Sequence, residues 1–218
     1  MRISIVPKLA DLWYTIMTSC ASTRPTYVVM TLNVVRLFIS WIDINLIAND
    51  RYYALFFRFL SNPEYLEGAG GCINELILKG MDPLPKMELI KSLGLFRLAE
   101  VTKGGDYDTA MCVSKIVTAA AIELLFCCEK LGAGSGHNGD VENAKNAGKM
   151  VDELFQIVLS FLGNDDDEIS ETTYTFFHPY LTRYKASVVN KTNKQNIHSY
   201  IHHFKNYFQK IFNNYLYS

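Results

Sequence analysis

Few residue groups in this chain have the types and spacing that chemistry needs. His198 and His202 stand one helical turn apart, with His203 beside them, so two imidazole nitrogens could meet one metal ion. No third Cys or acidic ligand lies nearby, and a solvated basic-aromatic helix, or a segment without stable structure, explains the pattern better. Gly134-Ser135-Gly136-His137-Asn138-Gly139 has the glycine spacing of a dinucleotide-binding turn. Such a turn brings backbone to a pyrophosphate only where a strand runs into a helix. Leu124 to Leu131 read as helix, so a flexible connection is expected instead. The chain shows no Ser-His-acid set in supporting phrases, no H-E-x-x-H, no Walker loop and no carboxylate pair in a strand-built cleft. Enzyme activity, a metal and a cofactor are therefore not expected, which leaves the chemistry of charged surfaces.

Two segments carry such charge. Asp165, Asp166, Asp167 and Glu168 sit where a helix should begin, and carboxylates there meet the positive end of the helix dipole for about 0.3 to 1 kcal/mol each. Capping is one reading; a docking edge for a basic partner is the other, because several carboxylates exceed what one helix end requires. The C-terminal stretch interleaves Lys185, Lys191, Lys194, Lys205 and Lys210 with Tyr200, Phe204, Tyr207, Phe208 and Phe212, a mixture that neutralises phosphates and stacks bases. The formal net charge of −1 conceals this split, since all 22 acidic residues and 15 of the 21 basic ones lie at or before Glu171.

The elements that must hold these residues are helical. With 49% hydrophobic content, 218 residues can bury a substantial core. Apolar residues recur every three or four positions and strand signals are nearly absent. Leu9, Leu12, Trp13, Ile16, Met17 and Cys20 form one stripe; Val28, Val29, Leu32, Val35, Leu37, Phe38 and Trp41 form the next. The pattern continues over 50–60, 63–79, 84–101, 107–131, 140–162 and 166–184, with Pro63 and Pro83 as helix starts. Trp13, Phe38, Trp41, Phe56 and Phe57 are expected in the core. Tyr27 to Ile47 is the best membrane candidate, but Asn33, Arg36, Asp43 and Asn45 interrupt it, and no membrane insertion is expected. The five cysteines form no C-x-x-C pair or disulfide framework, and the start lacks a signal-peptide pattern, which points to a reducing compartment.

Short connections between these helices predict eight helices in four antiparallel hairpins. Asn62-Pro63-Glu64-Tyr65-Leu66-Glu67 and Asp165-Asp166-Asp167-Glu168-Ile169-Ser170-Glu171 open helices in a similar way after Phe59-Leu60 and Phe161-Leu162. That phrase resembles the second helix of HEAT repeats. The predicted fold is all-α, an α-solenoid of antiparallel helix hairpins with about four HEAT-like repeats over residues 5–184. Residues 185–218 form a separate basic, aromatic and Asn-rich tail.

Several longer phrases carry a resemblance to one family. They are Pro7-Lys8-Leu9-Ala10-Asp11-Leu12-Trp13-Tyr14, Leu32-Asn33-Val34-Val35, Ser40 through Arg51, Lys79-Gly80-Met81-Asp82-Pro83 with Lys86, and Asp165 through Ser170 after an apolar helix. In order and spacing they resemble exportin-T, the tRNA exportins of the importin-β-like group. The resemblance implies an interior segment of a longer HEAT superhelix that shuttles between nucleus and cytoplasm. It also implies Ran-GTP and tRNA as partners, with nuclear pore proteins as further ones. Lys79, Lys86, Lys91 and Lys115 are conceivable phosphate contacts, although the sequence does not place them on a face. After about Tyr184 no phrase of the family is recognisable, and the Asn, Lys, Tyr, Phe, Ile and His of the tail suggest translated non-coding sequence or an alternative ending to a truncated reading frame. A protein-only HEAT or armadillo scaffold and a non-functional exportin fragment are the rival readings.

Overall fold

Proline and short polar side chains set where the helices of this chain begin. Pro25 and Pro83, which need no backbone donor, occupy first-turn positions of α2 (Pro25–Ile39) and α5 (Pro83–Leu93). The Asn49 side chain accepts from the Tyr52 N–H to start α3 (Asp50–Leu60), and Asp106 accepts from the Thr109 N–H to start α7 (Tyr107–Gly132). The remaining elements are α1 (Ile5–Cys20), α4 (Leu66–Leu78), the single-turn α6 (Leu98–Val101), α8 (Asn138–Leu162), the short α9 (Asp167–Glu171) and α10 (Tyr174–Val189). The computed structural model describes residues 5–101, 106–133 and 138–189, and no strand occurs among them. The expected histidines at 198, 202 and 203, most of the glycine run and most of the basic-aromatic tail lie outside the described residues.

Among the described residues α1/α2, α3/α4 and α5/α7 pair in an all-α stack of HEAT-like repeats, while α8 packs most extensively on α7 and meets α10 through the rings of Phe155, Phe176 and Tyr180. The second helices of the pairs and α10 make the continuous row: α2 packs on α4, α4 on α7, and α7 on α10. In such a stack each hairpin touches mainly its neighbours, so stability is close to a sum of local terms. The first two hairpins are also joined through their first helices. Arg51 of α3 reaches Asp11 of α1 at 2.6 Å and lies over the Tyr14 ring, while the Tyr52 hydroxyl donates to the Ala10 carbonyl at 2.5 Å.

α2 and α4 approach closely because α4 carries glycine at the contact. A Cβ on Gly68 would lie 2.9 Å from Leu32 Cβ, an atom that cannot swing away without moving backbone. Alanine there gains about 1 kcal/mol of helix propensity, but overpacking costs about 1 to 3 kcal/mol. Gly68→Ala should therefore destabilise by about 1 kcal/mol, read as a lower urea midpoint at unchanged slope. An increase in the midpoint would mean that α2 can retreat freely.

The structure departs from the sequence expectations at identifiable places. Pro63 does not start a helix: the chain first winds around Asn62, whose side chain accepts from the Glu64 N–H, and α4 begins at Leu66. The expected helix over 84–101 breaks at Gly94, which has φ +61°, a left-handed conformation that glycine adopts without steric cost. The one over 166–184 breaks at Thr172 and Thr173, whose hydroxyls bond back to the Ile169 and Ser170 carbonyls at 2.7 Å. Beyond the break α10 continues to Val189, past the expected boundary at residue 184.

Trp13 and Phe56 are buried and Phe38 and Phe57 half-buried, but Trp41 is 62% exposed and is not core. α2 ends at Ile39, so Tyr27 to Ile47 is not one span. The described helix long and apolar enough to cross a membrane is α7, and 61% of its apolar stretch is buried inside the protein. Its apolar length is explained by position, between α4, α5, α8 and α10.

Candidate partner-docking edge

Of the four acidic residues singled out in the sequence, Asp165 and Asp166 lie on the turn between α8 and α9 and Asp167 and Glu168 in the first turn of α9, and the structure divides them by role. Asp166 is the N-cap of α9, its carboxylate accepting from the Glu168 and Ile169 N–H groups at 2.9 and 3.4 Å, while Asn164 accepts from the Asp166 N–H at 2.9 Å. Glu168 accepts from the Tyr107 hydroxyl at the start of α7. That hydrogen bond, with burial and the charges of Glu168, Asp166 and Asp108, pushes the Tyr107 hydroxyl up to about 12. Asp165 and Asp167 are exposed, and among the described residues their carboxylates enter no hydrogen bond or ion pair.

Sequence reasoning missed that this edge is shared between two hairpins. Asp106 and Asp108 at the start of α7 flank Tyr107 and so adjoin Asp166 and Glu168, about sixty residues away in the chain. The Thr172 hydroxyl bonds the Ser114 hydroxyl at 3.0 Å and fixes α9 against α7. Asp106 is held below the usual carboxylate range, first by the Thr109 backbone N–H and then by its side chain. Its folded value is depressed, so its stabilising contribution is present above the ordinary carboxylate range and is lost as pH falls through the lowered value. The Asp106-Tyr107-Asp108 triplet after Gly104-Gly105 was the available signal, but nothing local tells that it meets Glu168. No group of three or more His, Cys, Asp or Glu residues among the described ones could hold a metal ion.

This charge geometry names no partner, and the chain's family is read from sequence comparison. Residues 1–73 match the family model described as Exportin 1-like protein. Human Exportin-T is 32% identical to the chain over 205 residues, which are 90% of this chain and 21% of that protein. Over this span the chain belongs with exportin-T. The zebrafish Exportin-T is 31% identical over the same coverage, and that of Arabidopsis thaliana 34% identical over 138 residues, 61% of this chain and 14% of that protein. The matched part of the chain thus spans 14 to 21% of the length of these relatives.

Within this exportin-T segment the four candidate lysines separate. Lys86 is 1% exposed, paired to Glu123 at 2.9 Å and donating to the Ile77 carbonyl. Lys79 donates to the carbonyls of Ile39, Ser40 and Ile42 at 2.7, 3.0 and 2.9 Å, closing the C-terminal end of α2, where a cation meets the dipole favourably. Burial lowers the Lys79 ammonium from its ordinary range, partly offset by Asp43. Both are structural, which removes them as phosphate contacts. Lys91 on α5 and Lys115 on α7 are exposed. A cleft lined by Pro7, Asp11, Asn45, Asn49 and Arg51 lies between α1 and the turn before α3. Asp11 and Arg51 there pair with each other, and Asn49 caps α3, so its polar groups serve the stack.

Proposed function

We propose that this segment belongs to a nuclear export receptor that binds tRNA together with Ran-GTP and shuttles between nucleus and cytoplasm. The supporting observation is the 32% identity with human Exportin-T across 90% of the chain. The role is one of binding. Ran-GTP and tRNA each raise the other's affinity for the stack, and loss of the GTP state in the cytoplasm releases both. A row of hairpins that touch mainly their neighbours suits this, because small changes of helix crossing sum along the row. Recognition of tRNA rests on shape and phosphate rather than sequence. Lys91 and Lys115 are its candidate contacts here, and the edge of Asp165, Asp166, Asp167 and Glu168 is the candidate contact for a basic patch on Ran.

A mobility-shift assay with labelled tRNA, with and without Ran-GTP, tests the reading. A shift that requires Ran-GTP supports it. Ran binding without tRNA binding favours a receptor for another cargo, and binding of neither favours a protein-only scaffold or an inactive exportin fragment. The acidic edge has its own test. Asp165 and Asp167 are the informative positions, since Asp166 caps α9 and Glu168 holds Tyr107. The double variant D165K/D167K in a full-length relative should slow Ran association by about tenfold at low salt, an effect that shrinks as salt screens exposed charge. An unchanged association rate would remove the edge from the account.

A further inference from the structure

The second hairpin hangs on the first along one line. At the start of α4 the Tyr65 hydroxyl donates to the Ala21 carbonyl, in the turn between α1 and α2, at 2.6 Å. At the other end of α4 Lys79 holds the carbonyls that close α2. Between these two pins α4 lies on α2 through Gly68 and Gly71, where a Cβ would fall 2.9 Å from Leu32 and from Arg36, and the Cys72 thiol donates to the Leu32 carbonyl at 3.3 Å. Glycine has no side chain to interlock, so the seam fixes a line of contact and resists rotation about that line weakly. The far side of the joint is built differently. Two consecutive residues at the start of α3 bridge to one turn of α1: Arg51 pairs with Asp11 at 2.6 Å and stands 5.0 Å from the centre of the Tyr14 ring, and the Tyr52 hydroxyl donates to the Ala10 carbonyl. Beside this bridge opens the cleft of Pro7, Asp11, Asn45, Asn49 and Arg51, about 510 Å³ in volume. Both of its walls belong to hairpins of this chain, and it lies between them rather than at an end of the stack.

We propose that this joint is a hinge, with the α2/α4 seam as its axis and the Arg51 and Tyr52 bridge as the latch that sets its angle. Packed helices lie about 8 to 10 Å apart, so a turn of about 20° about the seam moves α3 by roughly 3 Å against α1 while the two pins stay nearly in place. The cleft gives room for closing, and release of the latch permits opening. The two halves of the latch differ in what can undo them. Tyr52 is fully buried, whereas the side chains of Arg51 and Asp11 are 43 and 64% exposed, so salt weakens the ion pair and spares the Tyr52 bond. Loss of the pair alone loosens the angle, and loss of both halves lets the joint open. Because hairpins in a stack are coupled mainly to their neighbours, a change of angle here alters the pitch of the row without disturbing the packing inside either hairpin.

Distances between spin labels in the full 218-residue chain read the hinge directly. Labels attached through azide-bearing residues at Lys8 of α1 and Ala54 of α3, both exposed, span the latch side and leave the five cysteines untouched; a second pair at Asn33 of α2 and Glu67 of α4, also exposed, spans the seam. Raising the salt to about 1 M, where charges are screened within about 3 Å, should broaden the Lys8 to Ala54 distribution about twofold. R51Q should do the same at low salt, and R51Q/Y52F should also lengthen the mean by roughly 3 Å, the displacement expected from helix spacing. The seam distance should hold throughout. A Lys8 to Ala54 distribution that neither salt nor R51Q/Y52F alters overturns the proposal, and so does a seam distance that changes as much. Circular dichroism shows whether the double variant keeps its helices; if it does not, the salt series on the parent chain and R51Q, at an exposed side chain, decide in the same way.

Discussion

Lys86→Ala should lower the unfolding free energy by about 3 kcal/mol, the low end of the cost of stripping one partner from a buried ion pair. The low end applies because Glu123 keeps 24% of its side-chain surface in water, whereas Lys86 keeps 1%. The ammonium ties three helices: it sits on α5, pairs with Glu123 of α7 and donates to the Ile77 carbonyl near the end of α4. Removing it leaves a carboxylate and a carbonyl facing apolar surroundings. The double variant K86M/E123Q should recover much of the loss, since no uncompensated charge remains. Urea denaturation followed by circular dichroism measures both. A loss below about 1 kcal/mol for K86A would mean that the pair is solvated, as surface pairs are.

Phe176→Ala should cost about 4 kcal/mol, within the range for emptying a large aromatic site in a core. Phe176 is fully buried, and its ring lies 6.2 Å from Phe155, 5.4 Å from Phe177 and 5.1 Å from Tyr180. These rings join α8 to α10, so the cavity opens inside the last hairpin. Because coupling in a stack is mainly between neighbours, hydrogen exchange should accelerate most in α8 and α10 and least in α1 and α2. Uniform acceleration along the chain would indicate a single cooperative unit instead.

The helices were legible because the period of the apolar residues is local information. Asp50–Leu60 coincides with the expected 50–60, and Tyr107–Gly132 differs from 107–131 by one residue. The breaks were less legible. Gly94 reads as a tolerated glycine within a helix until its positive φ is known, and Thr172-Thr173 contains neither Gly nor Pro. α2 shows the deeper limit. It is apolar on several sides, so periodicity cannot say which side meets a neighbour, and Leu37 and Trp41, counted with the inward stripe, prove exposed.

The charged residues follow the same logic. Lys79 and Lys86 look in sequence like any surface lysine, but the carbonyls that receive Lys79 lie about forty residues earlier in the chain. The acidic run was visible as a helix start, and Asp166 fills that role; the addition of Asp106 and Asp108 to the edge depends on the docking of α9 against α7. Contacts between distant segments decide which charges remain available to a partner, and those contacts are what a single sequence does not display.

The proposed function requires that the two partners be coupled, and a binding cycle measures that directly. The dissociation constant of tRNA is determined with and without saturating Ran-GTP, and that of Ran-GTP with and without saturating tRNA. The two ratios must agree, and values of about 5 to 150 are expected for such coupling. If Ran-GTP leaves tRNA affinity unchanged, or the GDP form enhances it equally, the export reading is contradicted.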